Sequence, residues 1–328
     1  MNEKPAVKGL KAKRFHSFRE FGVIIVLVVM FIIMSLASPF FLRAANLLNI
    51  VRQIAEISIM AIGMTFVINN AQIDLSVGSV YGFTGVLGAI LVRDVLMHPA
   101  PALLIMLLAG IMAGLINGLI TTKLRVPAFI VTLSTMQILR SSALGITGGL
   151  NVSAFPETAI NNWVFGIGRH SVGGIPLQVL IMIGLIITSA VILAKSRYGF
   201  KVYATGGNKN AARLSGINTD NVIIGSFVIT GFCAAIASLI GLTFLHSMPA
   251  TAGTGREMDV IAAVILGGTQ LSGGRGTILG TFIGSMIMGV VRNGMVLIGV
   301  PAFYQPGFIG IIILLAVISD TWISRKDT

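Results

Sequence analysis

An all-α bundle of membrane-spanning helices is the fold predicted by three features of this sequence. First, 55% of the residues are hydrophobic and only 10% are charged, against roughly 25% charged in soluble domains. Second, apolar windows recur along the whole chain, and about 20 apolar residues suffice to cross a bilayer core of about 30 Å. Third, glycines recur at a spacing of four on several windows: Gly78 and Gly82; Gly110, Gly114 and Gly118; Gly276, Gly280 and Gly284. In lipid, such small-xxx-small faces let helix backbones approach closely, so these glycines are assigned to helix packing. No polar stretch is long enough to bury a core of its own, so no soluble domain is expected.

Residues 1–20 form a basic N-terminal tail. The run Phe21–Ala37 imitates a signal peptide, with Ser35-Leu36-Ala37 as a cleavage site. It is long for a signal core and more spans follow, so a retained first helix is expected. Nine further spans are expected near 54–69, 76–92, 101–121, 126–146, 176–194, 221–245, 259–272, 277–295 and 305–319. The eighth of the ten is short enough to be re-entrant. Together they make one transmembrane domain, 21–319, followed by a C-terminal tail, 320–328.

Polar residues inside this apolar background are the candidates for function. Asn70, Gln72, Asp74 and Ser76 lie between two spans. An ionisable group at membrane depth is expensive and faces protein or water. With Thr132 and Asn293 inside spans, they are candidate lining for a translocation path. Asn117, Ser134, Gln137 and Gln305 could also read out a hydroxylated solute. The competing roles are interhelical hydrogen bonds and, for Asp74, a cap on the following helix. Glu257 and Asp259 open the eighth span and read as partners of its N-terminal dipole. A short echo links Asp74-Leu75-Ser76-Val77-Gly78 with Gln270-Leu271-Ser272-Gly273-Gly274, each ahead of a glycine-rich helix.

The net charge is +12, which belongs to loops rather than to nucleic-acid binding. With the N-terminus inside, 16 of the 23 Lys and Arg residues fall on inside segments: six in the tail, then Lys123, Arg125, Lys195, Arg197, Lys201, Lys209, Arg213, Arg275, Arg325 and Lys326. Cytoplasmic loops carry this excess, so both termini are expected in the cytoplasm. Arg52, Arg256 and Arg292 fall on the outer side, and Arg140 within a span.

No catalytic, metal or cofactor site is expected. Cys233 is the single cysteine, and His16, His98, His170 and His246 are scattered. The glycine-dense stretch Leu266–Gly276 lacks the Lys-Ser or Lys-Thr of a phosphate-cradling loop.

One polar island stands apart, Ala204–Ile217 within a loop spanning 196–220. Asn208 suits a helix N-cap and Gly216 a residue just past a C-terminus. Ala211 and Ala212 leave little bulk, and Leu214 offers an apolar anchor. Such a cassette suits docking against another protein.

Several stretches together resemble the permease subunits of bacterial ATP-binding-cassette (ABC) importers for monosaccharides, of the ribose, xylose, arabinose and galactose type. They are Gly63-Met64-Thr65-Phe66-Val67-Ile68, Ile73-Asp74-Leu75-Ser76-Val77-Gly78-Ser79, Pro127-Ala128-Phe129-Ile130-Val131-Thr132-Leu133, Tyr203-Ala204-Thr205-Gly206-Gly207-Asn208 with Ala211-Ala212-Arg213-Leu214-Ser215-Gly216-Ile217, Asp259–Thr269, and Asn293-Gly294. The likeness runs from about Asn46 to Asp320 and is nearest to ribose permeases. It implies a non-catalytic subunit of a bacterial inner-membrane importer. Separate cytoplasmic ATPase subunits would use ATP and Mg, a periplasmic binding protein would deliver sugar, and a second copy or a sister permease would complete the channel. The ATPase-coupling loop implied is Gly206, Gly207, Asn208, Ala211, Ala212, Arg213, Leu214, Ser215 and Gly216. Two places depart from the family's pattern. Asn70-Ala71-Gln72 stands where glycines are usual, which bears on substrate. Lys209-Asn210 stands where acidic residues are usual, which bears on the ATPase partner. An importer for branched-chain amino acids or another small solute, and an autonomous secondary transporter, are the alternatives.

Overall fold

The computed structural model describes residues 6–326, with side chains from Gly22 to Leu315 and at Val317 and Ile318. Ten helices coincide with the ten expected spans: α1 (Ala6–Ala37), α2 (Ala44–Asn69), α3 (Val77–Arg93), α4 (Pro99–Lys123), α5 (Ala128–Thr147), α7 (Leu177–Lys195), α10 (Thr219–Leu245), α11 (Arg256–Leu266), α12 (Ile278–Leu297) and α13 (Gln305–Lys326). α1 continues back through most of the segment read as a tail. Three short helices fill connections: α6 (Glu157–Ile160), α8 (Arg197–Gly207) and α9 (Lys209–Leu214). Six helices are long and apolar enough to cross a membrane, namely α2, α4, α5, α7, α10 and α12, and α3 with parts of α1 and α13 are shorter apolar helices.

The bundle is organised on α2 and α10. Phe66, Phe227, Ile59, Met60, Met64 and Ile223 are fully buried between them and their neighbours. α4 runs antiparallel against α10 through its glycine face. A methyl group on Gly110, Gly114 or Gly118 would meet the backbone at Gly231, Phe227 or Ile224 respectively. Close backbone approach of this kind replaces the solvent-driven association that lipid cannot supply. Gly280 and Gly284 make the same kind of contact with the carbonyls of Gly267, just past α11, and of Ala263 within it, while Gly276 lies ahead of α12 against the Thr269 side chain.

The third glycine face has a different partner. Gly78 and Gly82 of α3 pack on the backbone of Gly253 and Ala252, which is not helical. Past His246, the cap of α10 with φ 48, the chain pairs Met248 with Val152 and descends along α3. It turns at Gly255, with φ 79, and only then starts α11. At 11 residues and 1.5 Å per residue, α11 is about 16 Å long, half of what a spanning helix needs. The eighth segment is thus a half-helix reached through a run of turns over 250–255, and its N-terminus lies inside the bundle.

The 148–176 connection is packed over the end of α10 where this descent begins. Phe155 and Phe165 meet edge to face, the Phe165 ring stacks on His246, and the Gly168 N–H donates to Thr243 Oγ1 at 3.0 Å. A small hairpin, β1 (Ser171–Val172) with β2 (Ile175–Pro176), leads into α7.

Candidate functional site

At the opposite end of α10, the polar island forms two helices rather than one. The Ser196 hydroxyl caps α8 by accepting from the Gly199 N–H, and Asn208 Oδ1 caps α9 by accepting from the Ala211 N–H at 2.9 Å. Gly216, with φ 81, turns the chain back toward α10. Arg213 fixes that turn by donating to Thr219 Oγ1 at 2.8 Å and Asp220 Oδ1 at 2.7 Å. Leu214 stands at the tip, 91% exposed.

The expected small open face is corrected at one residue. Ala211 and Gly207 are open, but Ala212 is buried, because its carbonyl accepts from Ile217 as the chain folds under α9. Bulk at Ala212 would break the local fold rather than a docking surface. Gly206 also faces inward, against the Asn69 carbonyl. Ser215 bonds back to the Ala211 carbonyl.

α8 is fastened to the bundle through two tyrosines, and Tyr198 Oη donates to the Val222 carbonyl of α10 at 3.0 Å. Tyr203 Oη donates to the Gly276 carbonyl at 2.6 Å, in the loop between α11 and α12. The Gly274 N–H donates to the Asn69 carbonyl at 2.9 Å, directly under Gly206. Gly273, in the second of the two echoing stretches, packs against Ala71, which lies ahead of the first. Beside them a cleft of about 420 Å³ is lined by Gln72, Arg125, Lys209 and Arg213 among others. Burial, and next the charge of Arg213, hold the Lys209 ammonium below its ordinary pKa.

The six residues proposed to line a path do not share one surface. Asn70 donates to Ser226 Oγ at 2.6 Å. Asp74 Oδ1 accepts from the Ser76 N–H and hydroxyl, so it closes a turn onto Ser76, the residue at the cap position of α3, and does not cap that helix directly. Ser76 in turn accepts from Asn117, which accepts from Thr135 at 2.6 Å. Thr132 bonds the Ile73 and Ala128 carbonyls. Asn293 exchanges two hydrogen bonds with Asn46, on α2. Gln72 is half-buried at the cleft. All but Gln72 are buried and hydrogen-bonded, which fits pins between helices.

A different cluster surrounds the start of α11. Arg256 pairs with Glu56 of α2 at 2.7 Å, and its guanidinium lies 4.7 Å over the Tyr81 ring of α3. Asp259 pairs with Arg292 of α12 at 2.6 Å, and Glu257 with Arg140 of α5 at 3.5 Å. Four helices, α2, α5, α11 and α12, thus contribute to one ring of three arginines and three carboxylates. The carboxylates of Glu257 and Asp259 also lie in the first turn of α11, where its dipole favours negative charge. They are buried, whereas the three arginine side chains are 25–33% exposed. Partly exposed charge inside a membrane bundle must face water or another protein, not lipid.

Sequence reasoning named Glu257, Asp259, Arg140, Arg256 and Arg292 singly but did not join them, and it missed Glu56, Tyr81 and Tyr203. Arg256 and Arg292 had been placed at outer helix ends. The half-helix brings position 256 into the bundle, and α12 carries Arg292 to its level. The available signal was a numerical match of arginines and carboxylates within apolar segments.

A family model described as branched-chain amino acid transport system / permease component matches residues 46–317. The ribose import permease protein RbsC of Escherichia coli (strain K12) is 42% identical over 90% of this chain and 92% of its own length. The protein of the same name from Bacillus subtilis (strain 168) is 39% identical over 94% and 95%. The xylose transport system permease protein XylH of Escherichia coli (strain K12) is 33% identical over 97% and 95%. No solved structure matches the chain. With a match across most of its length and relatives aligned nearly end to end, this multi-pass membrane chain belongs to the permease family of ABC importers, alongside the ribose and xylose permeases.

Proposed function

We propose that this chain is the translocation subunit of an ABC importer for a monosaccharide, a pentose such as ribose or a related sugar. The observation that carries the reading is the α8–α9 pair: an exposed, basic, well-capped tip, fastened through Tyr198 to α10 and through Tyr203 to the loop ahead of α12. The ribose and xylose relatives support sugar over branched-chain amino acids as the solute class. ATP and Mg belong to a separate cytoplasmic ATPase. It docks on Leu214 and Ala211, with acidic side chains entering the cleft of Arg125, Lys209 and Arg213. Both termini and the 196–220 loop then face the cytoplasm of a bacterial inner membrane. The packed 148–176 connection receives the periplasmic binding protein. The partly exposed ring and α5 face a second copy or sister permease across the path.

Reconstitution tests this reading. Uptake of ribose or a related sugar into liposomes should require the chain, an ATPase, ATP with Mg and a binding protein together. Uptake by the chain alone would overturn it in favour of a secondary carrier. Labelling of Gly207→Cys from the cytoplasmic side and Asn161→Cys from the outside checks the orientation. Ala211→Trp should leave the fold intact and release the ATPase, since position 211 is open.

A further inference from the structure

The cleft between α9 and the start of α5 gathers more positive charge than the chain itself answers. It holds about 420 Å³ and is lined by Arg125, from the α4–α5 turn, and by Lys209 and Arg213. The latter two stand four residues apart on α9, so they share one helix face. Asp220 pairs with Arg213 at 2.7 Å from an adjoining cleft. Among the described residues, Arg125 and Lys209 have no ion-pair partner. Burial and the charge of Arg213 both disfavour the Lys209 cation, and a bound anion would offset both. α5 adds the positive end of its dipole: Pro127 and Ala128 bring its first turn to the cleft wall, and no side chain caps it. Guanidinium, ammonium and uncapped N–H groups together suit a phosphate, which accepts through three oxygens and carries roughly two negative charges. A carboxylate offers two oxygens in one plane and a single charge. The volume is far more than the few atoms of a phosphate need and lies within the roughly 300–1,000 Å³ of small-molecule sites. Gln72 lines part of the remainder. Its amide nitrogen donates to the Ala71 carbonyl at 2.9 Å, which leaves its oxygen to accept from a ligand hydroxyl.

We propose that Arg125, Lys209 and Arg213, with Gln72 and the start of α5, bind a small hydroxylated phosphate monoester, and that its occupancy displaces the ATPase. This inference rests on the docking reading above, in which the same cations receive acidic side chains, and adds a regulator: ester and ATPase compete for one set of charges. In the orientation proposed, the cleft opens to the cytoplasm, where charged esters stay because lipid excludes them. A phosphorylated form of the imported solute would then slow further import. The headgroup of phosphatidate is also a phosphate monoester and is the other source of the same chemistry.

Isothermal titration calorimetry on the full-length chain in detergent tests the site, with D-ribose 5-phosphate as the probe and D-ribose and D-ribonate as the neutral and carboxylate controls. The wild type should bind the ester about tenfold or more tighter than either control. Arg125→Gln and Lys209→Gln should each weaken it about tenfold, as expected for the loss of one charge-assisted contact. Lys195→Gln removes an exposed cation outside the cleft and should change the affinity less than about twofold. All three side chains are exposed, so the fold should survive. Size exclusion checks this, and if one cleft variant fails to fold the other decides. A wild type that does not bind the ester, a control ligand that binds as tightly, a folded cleft variant with full affinity, or an equal loss in Lys195→Gln would each overturn the site. Nanodiscs with and without phosphatidate separate the two sources. Competition between phosphatidate and the soluble ester identifies lipid as an occupant, its absence identifies the soluble ester alone, and either supports a monoester site. Retention of the ATPase by the immobilised chain should fall when the ester is added, and retention unchanged by saturating ester would overturn the displacement. ATP-driven uptake with no ester present is measured in parallel. Uptake without ester binding removes the site and leaves the import reading standing, and ester binding without uptake does the reverse.

Discussion

α5 and α7 are apolar helices of nearly equal length, 20 and 19 residues, yet they occupy opposite kinds of environment. The most apolar window of α7 has a mean hydropathy of 2.6 and is 33% buried, while that of α5 has 1.3 and is only 17% buried. The less apolar helix is therefore the more exposed one, the reverse of what lipid on both would require. The outward positions of α7 are Ile183, Ile187, Val191 and Ile192, an ordinary lipid-facing stripe. Those of α5 mix large apolar residues, Phe129, Ile130, Leu133 and Ile138, with Ser134, Gln137 and Ser141, and Arg140 at the margin reaches the ring. Exposure in the isolated chain thus has two meanings, and polarity separates them. α7 presents an apolar stripe suited to lipid, and α5 adds to its apolar surface a polar strip that suits the proposed path side.

The largest effect expected is on the seam that must exist before either face does. Gly114→Leu would drive a side chain into the backbone of α10 at Phe227, with no flexible atom to yield. Folded protein recovered from membranes should fall below a tenth of the wild-type level, and normal recovery would show that the seam can open. The comparison of α5 with α7 is then tested by a matched pair. Gln137→Trp should cut ATP-driven uptake at least tenfold at unchanged protein level, because on the proposed path side a bulky ring would stand in the way of the solute. Ile187→Trp, facing lipid, should leave uptake within twofold. Equal effects would break the distinction between the two helices.

Next in size is the link from α8 to the loop below α11. Tyr203→Phe removes one hydroxyl and the bond to Gly276. The ring of the side chain stays, so stability should change by only about 1 kcal/mol, while sugar moved per ATP hydrolysed falls severalfold. An unchanged ratio would mean that movement reaches α11 by another route. The smallest effect belongs to Ala71, held at φ 56, where the family usually has glycine. Left-handed backbone costs a residue with a β-carbon about 1–2 kcal/mol, partly offset by glycine's greater freedom when unfolded. Ala71→Gly should raise the melting temperature of the purified chain by a degree or two, and a lower value would contradict the strain.

Long-range arrangement, not local pattern, separates what was legible in the sequence from what was not. The ten apolar helices were readable because hydropathy and length suffice to define a span. The caps at Asn208 and Gly216 were readable because their chemistry is local. α8 was not, since Arg197–Gly207 contains three glycines and takes its helical form from packing Val202 and Thr205 inward. Burial of Ala212 was equally hidden, because small size suits a docking face and a packed one alike. The ring lay furthest from view. Its paired members are separated by up to two hundred residues in the chain, as Glu56 and Arg256 are, and meet only because α11 begins midway down the bundle, which no window of sequence reports.

That midway start has an electrical consequence. A unit charge carried across a membrane potential is worth about 2.3 kcal/mol per 100 mV, so ionised groups that shift singly during a transport cycle would make the cycle sensitive to voltage. The six charges of the ring are joined as three neutral pairs. If they move, they move as dipoles, and a neutral sugar passing them adds nothing. Import through this chain should therefore proceed at the same rate in polarised and depolarised vesicles, leaving the cell free to feed whatever the state of its proton-motive force.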